Sequence, residues 1–146
     1  MNKSQVGMLL AASVAAALLT GCSGSTTPIS QLENGEYTGT AAPETDGSYG
    51  IIKFKVDSGQ IKDVSFLMYD ADGTVHDENY GLGADGTPHD EAFYQRAQNA
   101  IAAEHSYVTQ LEETGNQNKV EVIAGASISH RQFLGAIRDA VRKAQH

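Results

Sequence analysis

Cysteine is almost absent from this chain, and tryptophan is absent altogether. Cys22 is the single cysteine among 146 residues, which excludes an internal disulfide, a thiolate zinc site and a cysteine-ligated iron–sulfur cluster. The five histidines show no His-Glu-x-x-His pattern and no other paired metal-ligand spacing. A Gly-x-Ser-x-Gly nucleophile motif is also missing. The sequence therefore gives no support to a metalloenzyme or a serine hydrolase, and we assign no catalytic residue.

Positive charge is scarce as well. Ten Lys and Arg stand against eighteen Asp and Glu, which gives a net charge of -8 at pH 7. Clustered positive charge occurs only near the C-terminal end, between residues 131 and 143. A protein that binds nucleic acid needs a basic patch to displace the counterions of the phosphates. We therefore expect no nucleic-acid partner, and the acidity is typical of a well-solvated surface.

Long apolar runs are missing except at the N-terminus. Lys3 precedes an apolar run from Val6 to Leu19, and two small residues then lead to Cys22. This order of charged region, apolar region and cleavage site predicts a signal peptide over residues 1–21. An apolar run of about 14 residues rises only about 21 Å as a helix, short of the ~30 Å hydrocarbon core of a bilayer. The run is therefore better explained as a cleaved signal than as a membrane-spanning helix.

The residues at the cleavage site indicate a lipid anchor. Leu19-Thr20-Gly21-Cys22 resembles the bacterial lipobox, which implies diacylglycerol on the Cys22 sulfur and a further acyl chain, such as palmitate, on its amino group. Two or more chains anchor a protein stably. Ser23 in place of Asp resembles the outer-membrane sorting pattern, if the host is Gram-negative. We expect a cell-envelope lipoprotein facing outside the cytoplasm, with residues 22–33 as a flexible tether and one domain over residues 34–146.

Alternating apolar residues predict three strands in the first half of this domain, over residues 36–40, 49–56 and 61–69. Asp57-Ser58-Gly59-Gln60 is typical of a tight hairpin turn, so the last two strands should pair antiparallel. Asp70-Ala71-Asp72-Gly73-Thr74 resembles the start of a calcium loop. The sixth position lacks Gly and the twelfth is Gly81 instead of Glu, so the pattern favours a polar turn.

Two helices are predicted in the second half. Thr87 as the N-cap, followed by Pro88 and an acidic first turn, predicts a helix that reaches about His105. Residues 105–111 could prolong this helix or leave it, and residues 112–118, which are polar and include Gly115, predict a loop. Lys119–Ile123 is a candidate for a short strand. Ser129 and Gln132 have capping-box spacing and precede apolar residues at helical intervals. The predicted fold class is α+β, a small antiparallel sheet packed against two main helices.

The turn before the second helix could bind an anion. Gly125 and Ala126 leave room for close approach, and a helix N-terminus offers free backbone N–H groups and the positive end of a dipole. The hydroxyls of Ser127 and Ser129 could donate further hydrogen bonds. Phosphate is the natural candidate, although many helices begin after such a turn without binding any ligand.

The same turn carries a resemblance to a known family. Residues 118–130, Asn-Lys-Val-Glu-Val-Ile-Ala-Gly-Ala-Ser-Ile-Ser-His, resemble the D-x-V-S-G-A-T-x-T/S stretch of the FMN-binding domain family, whose members include electron-transfer lipoproteins and subunits of sodium-pumping quinone reductases. Residues 34–39, 51–64 and 72–80 are similar to its opening D-G-x-Y-x-G, its first hairpin and the linker of its lipoprotein members. The resemblance covers roughly residues 34–144.

The resemblance implies FMN as the cofactor and Ser127 as a candidate for its covalent attachment. In the family, the threonine at this place takes FMN through a phosphoester made by an extracytoplasmic flavin transferase. In this sequence, Glu121 occupies the position of the family's Asp, and Ala124 occupies the position of its Ser or Thr. Noncovalent binding is the other possibility that the sequence leaves open. In that case the phosphate is expected to contact the turn and the helix start, namely Ala124, Gly125, Ala126, Ser129, His130 and Arg131.

An FMN-binding lipoprotein of this kind is expected to carry electrons between extracytoplasmic redox partners, without a small-molecule substrate of its own. Aromatic residues that could line the flavin ring are Tyr37, Tyr69, Tyr80 and Phe93. The alternative is a flavin-free lipoprotein that serves as a structural or partner-binding surface module.

Overall fold

A computed structural model describes residues 28–146 of the chain. The predicted signal peptide, Cys22 and residues 22–27 of the predicted tether lie outside the described residues. In the other half of the predicted tether, Ile29 is buried in the core, its amide donates to Gln117 at 3.3 Å, and Leu32 packs against the core. These residues therefore belong to the folded domain. The described part has three strands and two long helices, which confirms the predicted α+β class. In chain order they are β1 (Gly35–Thr40), β2 (Tyr49–Asp57), β3 (Gln60–Tyr69), α1 (Glu91–Thr114) and α2 (Ser127–Ala144), with short 3₁₀ helices at Ile29–Gln31 and Gln117–Lys119.

The three strands form one antiparallel sheet in the order β1-β2-β3. A two-residue turn joins β2 to β3, and both of its residues, Ser58 and Gly59, have positive φ angles of 54° and 77°. Positive φ at both central positions is the requirement of a type I′ turn, whose twist matches the twist of the flanking strands. The predicted hairpin is therefore confirmed.

One face of the sheet forms the core beneath both helices. Gly50, Ile52, Phe54 and Val56 alternate along β2 and are buried, while the residues between them are more exposed. Helix α2 packs against β1 and β2, and α1 packs against β3. The approach of α2 is closest at Gly39, where a Cβ atom would overlap helix backbone. Glycine at this position therefore sets how closely the helix lies on the sheet.

Helix α1 differs from its predicted bounds at both ends. Its N-cap is Asp90, whose side chain accepts a hydrogen bond from the Phe93 amide at 2.9 Å, whereas Thr87 lies in the preceding turn. The helix continues to Thr114, well beyond His105, because Tyr107 and Leu111 prolong its apolar face into the core. It ends where Gly115 takes a left-handed conformation.

The predicted strand at Lys119–Ile123 is wrong. Lys119 ends a 3₁₀ helix, and residues 120–123 are extended but pair with no strand. Side chains of α1 bind the backbone instead: Gln110 accepts from the Glu121 amide at 2.7 Å and Tyr107 from the Ile123 amide at 3.1 Å. These hydrogen bonds replace the sheet ladder that an extended segment otherwise needs.

The Asp70–Thr74 segment is a polar turn, as predicted. The Asp70 amide donates to the Thr74 carbonyl and the Gly73 amide to the Asp70 carbonyl, both at 2.9 Å. Among residues 28–146, no group of three or more His, Cys, Asp or Glu side chains could hold a metal ion. In the same part of the chain, no helix combines the length and the apolar character needed to cross a membrane.

Candidate functional site

The start of α2 and the loop between β3 and α1 lie at the same end of the sheet. The Gly50 amide donates to the Gln132 side chain in the second turn of α2, at 2.9 Å. Gly50 pairs across the sheet with Met68, and the Met68 carbonyl accepts from the His76 amide at 2.9 Å. Residues 70–90 therefore leave the sheet beside the start of α2.

The turn before α2 exposes its backbone. The Ala126 amide donates to the Ile123 carbonyl at 3.0 Å, which closes a β-turn with Ala124 and Gly125 at its centre. Gly125 has a φ of 84°, which glycine adopts at little cost in the third position of such a turn. No atom lies within 4 Å of the place where a Cβ of Gly125 would stand. A ligand can therefore approach this peptide closely.

The N-terminus of α2 has no side-chain cap. Ala126 is the N-cap residue and offers no polar side-chain atom. The first intrahelical hydrogen bond runs from the His130 amide to the Ala126 carbonyl, so the amides of Ser127, Ile128 and Ser129 have no acceptor within the helix. The Ser127 side chain is exposed. Three N–H groups and a positive helix end thus stand beside an accessible hydroxyl, an arrangement suited to a phosphate.

The predicted capping box is wrong, because the N-cap of α2 is Ala126, three residues before Ser129. Ser129 already lies in the first helical turn and is buried, and its hydroxyl donates to Glu104 of α1 at 2.7 Å. Gln132 accepts from the Gly50 amide and donates to the carbonyl of Ala42 and to Glu44. Both side chains therefore fasten α2 to its neighbours and leave the N-terminus uncapped.

Glu104 is a buried carboxyl group beneath the first turn of α2. Its exposed fraction is 3%. Burial raises its pKa to about 7, and the hydrogen bond from Ser129 opposes that rise. Near neutral pH the group is therefore close to half protonated. Sequence reasoning missed this residue, although its position three residues after Ile101, on the predicted apolar face of the helix, was a usable signal.

Tyr107 fixes both ends of the turn. Its ring is fully buried. Its hydroxyl accepts from the Ile123 amide and donates to the Ala126 carbonyl, both at 3.1 Å. One buried side chain of α1 thus holds the first and last residues of the turn, and sequence reasoning did not identify it.

His130 and Arg131, expected to add positive charge near the phosphate, are bound by other parts of the chain. His130 Nε2 lies 2.8 Å from the Val120 carbonyl oxygen. Arg131 donates to both carboxylate oxygens of Glu44, at 3.0 and 2.6 Å. This bidentate hydrogen bonding lowers the pKa of Glu44. The amides and hydroxyl of the turn, not these side chains, are the groups left available for an anion.

Two of the four aromatic candidates for the flavin ring stack within the sheet. Tyr37 of β1 stacks on Phe54, with ring centroids 5.4 Å apart, and Tyr69 of β3 stacks on Tyr49 at 5.5 Å. Each of these rings thus already covers a neighbouring strand.

The other two candidates lie together at the end of the sheet that carries the turn. The rings of Tyr80 and Phe93 are 5.8 Å apart, and the Phe93 side chain is 40% exposed. Phe93 shares a face of α1 with Glu104, about 16 Å away along the helix axis. The Tyr80 ring already stacks on His76, with ring centroids 3.7 Å apart, and its hydroxyl donates to Asp70 at 3.1 Å. Of this pair, Phe93 therefore remains available to line a ligand that extends from the turn.

Two exposed aliphatic side chains flank the turn itself. Val122 precedes it with 58% of its surface exposed, and Ile128 follows it with 53% exposed. The two side chains place apolar surface on both sides of the turn. Sequence reasoning considered only aromatic rings and did not identify this pair, although both residues lie within the stretch that carries the family resemblance.

Comparison with known proteins gives one family and one solved structure. A family model described as "FMN-binding domain" matches residues 47–142, which include the turn and most of α2. No curated protein matches significantly. The chain is similar to the CPE2226 protein from Clostridium perfringens, known from a crystal structure, with 20% identity and a TM-score of 0.59 over 78% of this chain and 89% of that chain. That likeness shows a shared fold.

Proposed function

The chain belongs to the FMN-binding domain family and is a flavin-binding protein with FMN as its cofactor; from this premise we propose that it is a membrane-anchored, extracytoplasmic electron carrier that holds the FMN phosphate at the turn before α2. The observation that carries this site is the uncapped helix N-terminus beside exposed Ser127, inside the matched residues. The family match argues against the flavin-free alternative.

The residues at the turn fit a phosphate group. The amides of Ser127, Ile128 and Ser129 would donate to phosphate oxygens, and the open space around Gly125 admits the group without a steric barrier. Val122 and Ile128 supply apolar surface beside it. When bound, FMN supplies the one- or two-electron chemistry, while the chain's part is to bind, orient and partly shield the cofactor.

Ser127 is the residue that we propose for covalent attachment. In the described part of the chain its Oγ takes part in no hydrogen bond, and the neighbouring Ala124 and Glu121 are exposed. An extracytoplasmic flavin transferase could therefore reach the segment. Ser127 Oγ would give up its proton and bond to the FMN phosphorus of a flavin dinucleotide, whose pyrophosphate bond breaks and releases a nucleoside monophosphate. Noncovalent binding uses the same amides without that bond, so the two modes differ only at the hydroxyl.

The location is a proposal that the sequence supports. The order of the signal, the lipobox and Cys22 indicates lipid attachment outside the cytoplasm. Residues 22–27, the part of the predicted tether that precedes the folded residues, would let the domain reach redox proteins at the membrane surface. Export ahead of cofactor loading agrees with a flavin transferase that acts outside the cytoplasm.

The test is to express the precursor together with an extracytoplasmic flavin transferase and to record flavin fluorescence before and after denaturing electrophoresis. We expect fluorescence that stays with the wild-type and Ser127→Thr bands and is lost from Ser127→Ala. Ser65→Ala, an exposed change on β3, is the matched control and should keep the label.

Other results of this experiment would distinguish noncovalent binding, a different acceptor residue and the absence of FMN. Fluorescence in the native wild-type protein that denaturation removes would establish noncovalent FMN. A covalent label that persists in Ser127→Ala would refute Ser127 as the acceptor. Absence of flavin from both native and denatured protein would refute FMN binding at this turn.

A further inference from the structure

Glu104 is a carboxyl group buried between two helices, where burial disfavours its ionised form. It is 3% exposed and lies in the contact between α1 and the first turn of α2. Its hydrogen-bond partner there is the neutral Ser129 hydroxyl, and no salt bridge to Glu104 is present among residues 28–146. Burying a carboxylate without a cation is costly, and a group in that position readily takes up a proton.

The position of Glu104 ties it to the anion site. The Ser129 hydroxyl donates to Glu104 at 2.7 Å, and the amide of the same residue is one of the three that have no acceptor within the helix. An ionised Glu104 and a bound phosphate would therefore both be stabilised by the positive N-terminal end of α2. Two like charges near one another in a poorly hydrated place disfavour each other's ionised form.

The surroundings of Glu104 offer no other charge that could take over this role. The segments that pack against α1 are α2, β3 and the 3₁₀ helix before residue 120. On α2, His130 is held by the Val120 carbonyl and Arg131 by Glu44. The buried side chains of β3 are apolar. The exposed charged groups on these segments are Lys62, Asp63, Lys119, Arg138, Arg142 and Lys143, and His105 beside Glu104 on α1 is exposed as well. Asp139, which is partly buried, is paired with Arg142 and Lys143. Tyr69 of β3 is partly buried and stacks on Tyr49, and the buried Tyr107 hydroxyl is bonded to the turn.

We propose that Glu104 is the proton-accepting residue of the phosphate site, so that occupation of the turn by a phosphate anion is coupled to the uptake of one proton by the Glu104 carboxylate. The proton comes from solvent and forms one O–H bond on Glu104, and no other bond changes. This inference rests on the proposed function, because it requires an anion at the turn. It adds a residue of α1 to a site otherwise built from α2.

The test counts protons during binding. FMN is titrated into the mature lipoprotein, purified in detergent without a flavin transferase, by calorimetry in two buffers of different ionisation heat. At about pH 8, the phosphate of free FMN is fully ionised because its second pKa is about 6, so it takes up no proton of its own. We expect the wild type to take up close to one proton per FMN bound, and Glu104→Gln to take up none.

Two controls separate the role of the phosphate from the role of the fold. Riboflavin lacks the phosphate and should bind without proton uptake. Glu113→Gln, an exposed change on the same helix, should behave as the wild type. Above pH ~7, the FMN affinity of the wild type should fall by up to about tenfold per pH unit relative to Glu104→Gln.

The outcomes distinguish this inference from the proposed function. FMN binding with no proton uptake by the wild type, or with equal uptake for FMN and riboflavin, would overturn the role of Glu104 and leave the flavin site standing. These two comparisons use only the wild type, so they hold even if Glu104→Gln does not fold. A wild type that binds no free FMN would overturn the coupling to Glu104. The proposed function would fall with it only if the chain also carries no flavin after expression with a flavin transferase.

Discussion

The Tyr107 hydroxyl donates a hydrogen bond to the Ala126 carbonyl oxygen, 3.1 Å away and 19 residues later in the chain. Its oxygen also accepts from the Ile123 amide. One buried hydroxyl thus fixes the geometry of the turn that precedes Ser127. The turn is held in place by α1 before any ligand arrives, which lowers the entropy cost of binding.

Tyr107→Phe should loosen this turn. The change removes both hydrogen bonds and leaves the partly buried Ile123 amide without a partner, so we expect the free energy of unfolding to fall by about 1–3 kcal/mol. Flavin labelling of Ser127 should also slow. Tyr37→Phe, which removes an exposed hydroxyl bound to the Glu33 carbonyl, is the control. Urea unfolding of both variants checks the prediction, and equal losses would contradict it.

Glu104→Gln should remove a pH dependence of stability. The folded chain raises the pKa of Glu104 from 4.5 to about 7, so it holds this proton more tightly than the unfolded chain does. The resulting stabilisation is complete below pH 4.5 and is lost as the pH rises through about 7, a total of about 3 kcal/mol. We expect the wild type to lose that much relative to Glu104→Gln, as measured by urea unfolding across this range. Parallel curves for the two proteins would be evidence against a buried, titrating Glu104.

Gly39→Ala should displace α2 from the sheet. The added Cβ would overlap the Ala136 carbonyl oxygen and lie 2.6 Å from the Ala140 amide nitrogen, both of them helix backbone that cannot turn aside. We expect a loss of more than about 3 kcal/mol, at the upper end for single substitutions. Gly35→Ala in the same strand is the control, because its Cβ would meet only the Tyr37 side chain at 3.7 Å or more. Thermal unfolding that ranks the two variants the other way would contradict this packing.

Cys22→Ser should prevent lipid attachment to the protein. A serine cannot take diacylglycerol through a thioether, so the variant should keep its signal peptide or leave the membrane fraction. The check is metabolic labelling with radioactive palmitate followed by fractionation, with Ser23→Ala as the control that keeps its label. Label retained by Cys22→Ser would exclude the lipid anchor that we propose.

Local patterns were sufficient for much of the fold. The β2–β3 hairpin could be predicted because Ser58-Gly59 and the alternating apolar residues act through neighbours in the chain. The end of α1 could not, because residues after His105 are helical through the burial of Tyr107 and Leu111 in the core. Residues 119–123 resemble a strand by composition, yet their amides bind side chains of α1.

The residues of the candidate site likewise fall into those that could be identified from the sequence and those that could not. Ser127 and the small residues before it could be identified from the sequence because they form one continuous segment. Glu104 and Tyr107 could not be assigned to the turn, because α1 brings them there across 19 to 25 residues. Arg131 was expected near the phosphate because of its charge, but its pairing with Glu44 joins residues 87 positions apart.

The segment of residues 120–126 belongs to no strand. The residues that the fold requires are therefore largely different from the exposed residues that a modifying enzyme would contact. The sheet constrains the sequence of β1 to β3 through pairing and burial. In this segment, burial constrains the side chains of Val120, Ile123 and Ala126, while hydrogen bonds from α1 reach backbone atoms that any residue except proline provides. Exposed positions such as Glu121 and Ala124 can therefore change during evolution with little cost to folding. We propose that a flavin transferase recognises these exposed residues. They can therefore change together with that enzyme while the fold stays the same.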